Sequence, residues 1–189
     1  MLKKILIALA AVLGVGLVGL VVAICLQPST YSIQRSATIA ASPGAVFVRV
    51  NDLKEWDTWS PWKELDPNPK TTLSNPSAGQ GATFAWSGND QVGEGRMTIL
   101  ESRPDQQVDI EQEFVRPFAG KSRHAFTFAS EGDGTRVTWK MDGTNDFLGK
   151  AMCLFMNMDS MVGGQIEKGL ANIKAVVEKD AASPAVAAP

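Results

Sequence analysis

Apolar residues return at helical spacing from Phe147 to Val177, through Leu148, Met152, Phe155, Val162, Ile166, Leu170 and Ile173. Lys150, Asn157, Gln165, Lys168, Lys174 and Glu178 hold the opposite face. The segment therefore reads as one long amphipathic helix that packs on one side and meets water on the other. Asn145 or Asp146 can cap its start. Gly163-Gly164 falls in the middle. A glycine costs a helix roughly 1 kcal/mol relative to alanine, so a bend is expected there, or a short helix followed by a long one. Met152, Met156, Met158 and Met161 precede the glycines. Methionine fills irregular space, so the cluster reads either as gap-filling core or as the wall of a cavity for apolar ligands.

At the other end of the chain no residue from Ile5 to Leu26 is charged or strongly polar. As a helix this run is about 33 Å long, enough to cross a bilayer. Its exit, Ala23-Ile24-Cys25-Leu26, lacks the small-x-small pattern of a cleaved signal peptide and the small residue that a lipoprotein signal places before cysteine, so an uncleaved anchor over 1–27 is expected. Lys3 and Lys4 precede the run, which predicts a cytoplasmic N-terminus and a domain on the extracytoplasmic side, the periplasm in a bacterium. The four residues Gln27-Pro28-Ser29-Thr30 reach about 14 Å at most, which would hold the domain close to the membrane.

Between these segments the pattern changes to period two. Tyr31, Ile33, Ala37 and Ile39 alternate with Ser32, Gln34, Ser36 and Thr38, a half-buried strand that puts Arg35 on the apolar face. Ser42-Pro43 opens a short helix with Ala45, Val46, Val48 and Val50. Trp56, Trp59 and Trp62 then recur every three residues. They suit a plug between the short helices and a sheet, with a cavity lid or a membrane-interface belt as alternatives. Six further strands follow, over 70–74, 82–87, 95–101, 107–114, 123–130 and 135–141, with Phe84, Trp86, Met97, Ile99, Val108, Ile110, Gln112, Phe114, His124, Phe126, Phe128, Val137, Trp139 and Met141 inward. Glu131-Gly132-Asp133-Gly134 marks a hairpin. Residues 181–189 have no periodic pattern and are expected to be disordered. Strand, short helices, six strands and long helix predict an α+β fold in which a curved antiparallel sheet of about seven strands wraps the C-terminal helix over residues 28–180. Where a strongly curved sheet and its helix fail to meet, an apolar hollow is left between them.

Composition narrows the chemistry. The net charge of −2 includes Lys3 and Lys4, which leaves about −4 on the rest and argues against nucleic acid or anionic headgroups as partners. Cys25 and Cys153 have no neighbour at metal-ligand or redox spacing and read as small apolar residues. His124 is the only histidine, so no His-rich metal site is expected and it alone is a weak candidate for acid–base work. No serine sits in a Gly-x-Ser-x-Gly elbow. Gly79-Gln80-Gly81 and Gly93-Glu94-Gly95 read as bends rather than dinucleotide fingerprints. Aspartates and glutamates, Asp109, Glu111 and Glu113 among them, fall mostly on outward strand faces, in solvent. Arg35 and Gln112, polar on inward faces, must find partners or orient a ligand's polar end.

The chain resembles the START-like helix-grip superfamily (SRPBCC), and within it the polyketide cyclase/dehydrase-like proteins, over roughly residues 30 to 180. The opening strand with Arg35-Ser36 and Ile39-Ala40-Ala41-Ser42-Pro43 carries the likeness, with Val46-Phe47, Asn51-Asp52-Leu53, Trp56 and Trp59-Ser60-Pro61-Trp62. Gly134-Thr135-Arg136-Val137-Thr138-Trp139, Phe147-Leu148-Gly149-Lys150 and Lys168-Gly169-Leu170 add to it. The resemblance implies a ligand cavity, with ligands that range from lipids to polyketides. No catalytic residue of a cyclase is matched.

These readings lead to a membrane-anchored domain that binds a hydrophobic or amphipathic, lipid-like molecule between sheet and C-terminal helix, with no cofactor and no metal expected. The strand residues expected to line the site are Phe84, Trp86, Met97, Gln112, Phe126, Phe128 and Trp139, and Met158 and Met161 are expected from the helix. A cyclase/dehydrase-like enzyme in which His124, Arg35 or Gln112 steers proton transfer, and a non-catalytic interaction module at the membrane, are the alternatives. Ala10 and Gly14 form one small-xxx-small pair, too little to assign an oligomeric state.

Overall fold

The computed structural model describes residues 1–182, so all but Ala181 and Ala182 of the expected disordered tail lies outside the described residues. The chain forms two compact units, Met1–Tyr31 with Thr144–Met158, and Ser32–Gly143 with Asp159 onward.

In the first unit, α1 (Leu2–Cys25) is apolar on all sides and, at 24 residues, about 36 Å long. The short helix α4 (Phe147–Phe155) begins at Asp146, whose side chain accepts from the Gly149 amide at 2.8 Å. Of the two candidate caps the aspartate is therefore the one used, while Asn145 donates to the Pro28 carbonyl instead. Lys150 Nζ reaches the Cys25 carbonyl at 3.4 Å, a cation at the negative end of α1.

The second unit is built on a seven-stranded antiparallel sheet of order β1-β7-β6-β5-β4-β3-β2. Its strands are β1 (Thr30–Ile39), β2 (Lys70–Leu73), β3 (Thr83–Ser87), β4 (Glu94–Arg103), β5 (Gln107–Arg116), β6 (Gly120–Glu131) and β7 (Gly134–Thr144). Between β1 and β2 lie α2 (Pro43–Asn51), α3 (Trp56–Trp59) and a 3-10 turn, Pro61–Glu64. The β6–β7 hairpin turns on Gly132-Asp133, with Gly132 at φ 58°, a left-handed conformation suited to glycine.

The closing helix α5 (Met158–Ala182) presents Ile166, Leu170, Ile173 and Val177 to the sheet, all buried. Of the two expected outcomes, a bend at Gly163-Gly164 is absent and a short helix followed by a long one is what forms. The helix breaks earlier, at Met156-Asn157, and runs unbroken through both glycines. Gly163 serves close approach instead, because a Cβ there would stand 2.3 Å from Arg35 Nη2. Arg35 leaves the apolar interior by this route and pairs with Asp159 at 2.8 Å and Glu167 at 2.6 Å. Hydrogen bonds to Asp159 and then Glu167 raise the guanidinium above its ordinary value, and Arg35 in turn lowers that of the Asp159 carboxyl. Gly169 does the same against Trp139, whose Cζ3 would meet an added Cβ at 2.7 Å.

Trp56 and Trp59 form the expected plug. Both are buried, their indoles donate to the Val50 and Arg49 carbonyls, and their rings meet Phe126 and Trp139 edge to face. Asp109, expected in solvent on the outer face of β5, is instead buried beneath Arg123 and Gln107, both of which donate to its carboxylate.

The two kinds of glycine make opposite predictions. Gly169→Ala forces a methyl into Trp139 and is expected to destabilise the protein by about 1–3 kcal/mol. Gly164→Ala meets open space on the same helix and is expected to stabilise it by about 0.5–1 kcal/mol. Thermal unfolding of the two full-length variants in one detergent distinguishes them.

Candidate functional site

Antiparallel pairing stacks the inward residues into rows across the sheet. One row runs Leu73, Phe84, Met97, Gln112, Ser122 through β2 to β6. The next, towards the edge, is Thr71, Trp86, Gly95, Phe114. On the other side come Ile99, Ile110, His124, Met141, and then Val108, Phe126, Trp139. The last row is sealed by Trp56, Trp59 and α5, whereas the first two are not filled. Above them lies a hollow of about 380 Å³, within the range of small-molecule sites.

The floor of the hollow is Thr71, Phe84, Trp86, Met97, Gln112, Phe114 and His124. Its facing wall is Trp56, Asp57, Ser60, Trp62 and Lys63, and its rim is 66–69 with Gln91 and Val92. Gly95 shapes the floor, since a Cβ there would lie 2.6 Å from the Trp86 ring. The indole can thus lie over β4, in edge contact with Phe114 at 5.6 Å, with its N–H donated to the Val92 carbonyl at 3.1 Å. Asp66 latches the rim: its carboxylate accepts from the Asn89 amide at 2.7 Å, while Asn89 Nδ2 donates to the Leu65 carbonyl at 2.9 Å. No charged side chain lies on the floor.

The polar part of the floor is a chain of three side chains. Trp139 Nε1 stands 3.0 Å from His124 Nδ1. An indole N–H can only donate, so Nδ1 accepts and the ring proton sits on Nε2. That proton points to Gln112 Oε1 at 2.6 Å, with Ser122 Oγ at 3.3 Å from the same nitrogen. Burial of His124 pushes its pKa down to about 4, so the ring is neutral near pH 7. β6 begins three residues earlier than its alternation shows, at Gly120, and places His124 well inside the sheet, buried and hydrogen-bonded through both ring nitrogens. Gln112 has no hydrogen bond from its amide nitrogen among the described residues, although the residue is only 8% exposed.

Of the expected site residues, Phe84, Trp86, Met97 and Gln112 meet at the hollow, joined by His124. Phe126, Phe128 and Trp139 face the same side of the sheet but lie in the solid core, Phe128 against Phe47 at 5.8 Å. Met161 stands 42% exposed on α5 and Met158 is its first residue; neither lines the hollow. The hollow opens beneath the tryptophan segment rather than beneath α5, because Gly163 and Gly169 let the helix close fully on its part of the sheet. Trp56, Trp62 and Phe114 were outside the expected set. The threefold spacing of the tryptophans and the inward position of Phe114 were the available signals.

Neutral burial of His124 has a sign. With its folded value near 4 and its unfolded value near 6.5, the unfolded chain binds the extra proton between those limits. The contribution, on the order of 3 kcal/mol, is fully present above pH 6.5 and lost as pH falls towards 4. Urea unfolding midpoints across this window should fall with pH in the wild type, and less steeply in His124→Gln.

A comparison with curated protein sequences gives no match. Among solved structures, a Chromobacterium violaceum protein superposes with a TM-score of 0.57 at 15% identity, covering 78% of this chain and 96% of its own. A Staphylococcus aureus protein of unknown function gives 0.61 at 12% identity, with 82% and 97% covered. The di-domain ARO/CYC StfQ from the steffimycin biosynthetic pathway gives 0.60 at 12%, covering 82% of this chain and 53% of that one. At these identities the likeness is one of fold. The family model described as polyketide cyclase / dehydrase and lipid transport matches residues 30–178, and this chain belongs to that family.

Proposed function

We propose that the chain binds an apolar or amphipathic small molecule in the hollow beneath the tryptophan segment and is held at a bilayer by α1. The observation that carries this reading is the unfilled part of the concave face, walled by Phe84, Trp86, Phe114, Trp56 and Trp62 around about 380 Å³. Such walls suit flat or flexible hydrocarbon and offer it little charge. A volume above about 300 Å³ also favours a ligand over an interaction module with a side-chain-filled interior. The family description, which includes lipid transport, agrees with a greasy cargo. A bilayer beside the domain would supply one.

The anchoring part of the proposal is supported by α1, 24 residues without a polar face. Lys3 and Lys4 ahead of it favour an extracytoplasmic domain. The enzymatic reading draws on the family description. It would need proton transfer at His124, whose two ring nitrogens are both engaged, to Trp139 and to Gln112.

Organic extraction of the full chain purified in nanodiscs of one synthetic phospholipid, followed by mass spectrometry against protein-free nanodiscs, should release a further apolar molecule in near-stoichiometric amount, and a lipid panel should contain members that raise the melting temperature. An extract identical to that of the protein-free nanodiscs together with no shift across the panel would overturn the binding proposal. Separately, alkaline carbonate washing should leave the full chain in the membrane pellet and release a variant that lacks residues 2–26.

A further inference from the structure

We propose that Gln112 anchors the bound molecule by donating from its amide nitrogen to an uncharged oxygen acceptor, a ketone, ester or ether oxygen, and that Trp139 and His124 are positioning residues that fix which end of the amide faces the hollow. This rests on the reading of the hollow as a ligand site.

An amide side chain is ambivalent: turned one way it presents an acceptor, turned the other way two donors. Here the choice is made in the core. Trp139 has only a hydrogen to offer, so it takes up the Nδ1 lone pair of His124 and leaves the proton on Nε2. That proton holds the Gln112 carbonyl at 2.6 Å. Turning the amide over would set its NH2 against Nε2–H, donor against donor, and leave Nε2–H only the longer contact to Ser122 Oγ at 3.3 Å. The nitrogen of Gln112 is thus directed to the hollow with no protein partner among the described residues, in a residue more than nine-tenths buried. Gln165 Oε1 is the one buried side-chain nitrogen or oxygen without a partner among the described residues, so the Gln112 nitrogen is open to the hollow, where an acceptor on a bound molecule can take the place of water.

The surroundings select the kind of acceptor. A carboxylate would lie over a neutral imidazole, with no cation on the floor and with Asp57 and Asp66 on the facing wall and rim. Lys63, the wall's cation, already donates to the Asp57 carbonyl at 2.9 Å. A cationic head would meet the two donor hydrogens of Gln112. A neutral oxygen on a flat apolar frame satisfies the amide and leaves the rest to Phe84, Trp86 and Phe114.

The test uses matched probes of one shape, 2-acetylnaphthalene and 2-isopropylnaphthalene, with 2-naphthyltrimethylammonium as a cationic control. Each is titrated against the full chain in nanodiscs and corrected for partition into protein-free nanodiscs. The wild type is expected to prefer the ketone over the hydrocarbon by about tenfold, the worth of one buried hydrogen bond. Gln112→Met keeps the length of the side chain and leaves Ser122 near the His124 proton, so it should bring the ratio of ketone to hydrocarbon affinity close to one. Trp139→Phe should lower the ratio in the same way and shift the imidazole 15N resonances of His124 from the pure Nε2–H pattern towards a mixture, a change that loss of packing alone would not produce. Equal affinity for ketone and hydrocarbon in the wild type, an undiminished ketone preference in Gln112→Met, or a preference for the ammonium probe would overturn the anchor while leaving the hollow a binding site. Failure of every probe to bind would instead remove the reading on which the anchor rests.

Discussion

A curved sheet of seven strands has more concave surface than one helix can cover, and the rest of the structure follows from how that surplus is managed. The closing helix takes one part of the face and takes it completely, because two of its glycines let an arginine and a tryptophan of the sheet touch its backbone. The remaining part is covered by two four-residue helical turns that carry three tryptophans. Long helices interdigitate with a sheet at regular spacing, whereas a short turn carrying large rings bridges over it. A solid core and a hollow therefore share one surface, divided along the row that contains His124.

That dividing row is where polarity enters an otherwise apolar interior. Buried polar groups are tolerated when each finds a partner, and the tryptophan, histidine and glutamine satisfy one another in a fixed order, donor to acceptor, from the core outward. Only the last group in the series has nothing from the protein to meet. The neutral state of the imidazole, a consequence of burial, is what lets one ring serve as acceptor on one side and donor on the other.

Much of this was legible before any coordinates. Strict alternation at Val108 to Phe114 and at Tyr31 to Ile39 located strands because period two survives wherever one face is buried. The closing helix was equally plain. The short helix followed by a long one is legible as well, but the break falls at Met156-Asn157 and not at the glycine pair, where Gly163 serves close approach to Arg35, a neighbour far away in sequence. Asp109 was placed in solvent because alternation gives the face of a sheet but not what folds over that face. Of the site, the aromatic and methionine positions on β3 and β4 were found from their faces, and Phe126 and Trp139 were drawn into it by the same logic, since pattern alone does not tell a filled stretch of concave surface from an empty one. The orientation of the Gln112 amide was beyond reach, being set by a hydrogen atom on an indole two strands away.

The rim of the hollow is fastened by Asp66 and Asn89, which bind each other's loops through a backbone amide and a backbone carbonyl. Neither contact belongs to the sheet or to the helix that seals the core. Doorway and scaffold are thus separate pieces of the architecture: the two loops are tied to each other by contacts that no strand ladder shares, so loosening that tie costs the sheet none of its own hydrogen bonds.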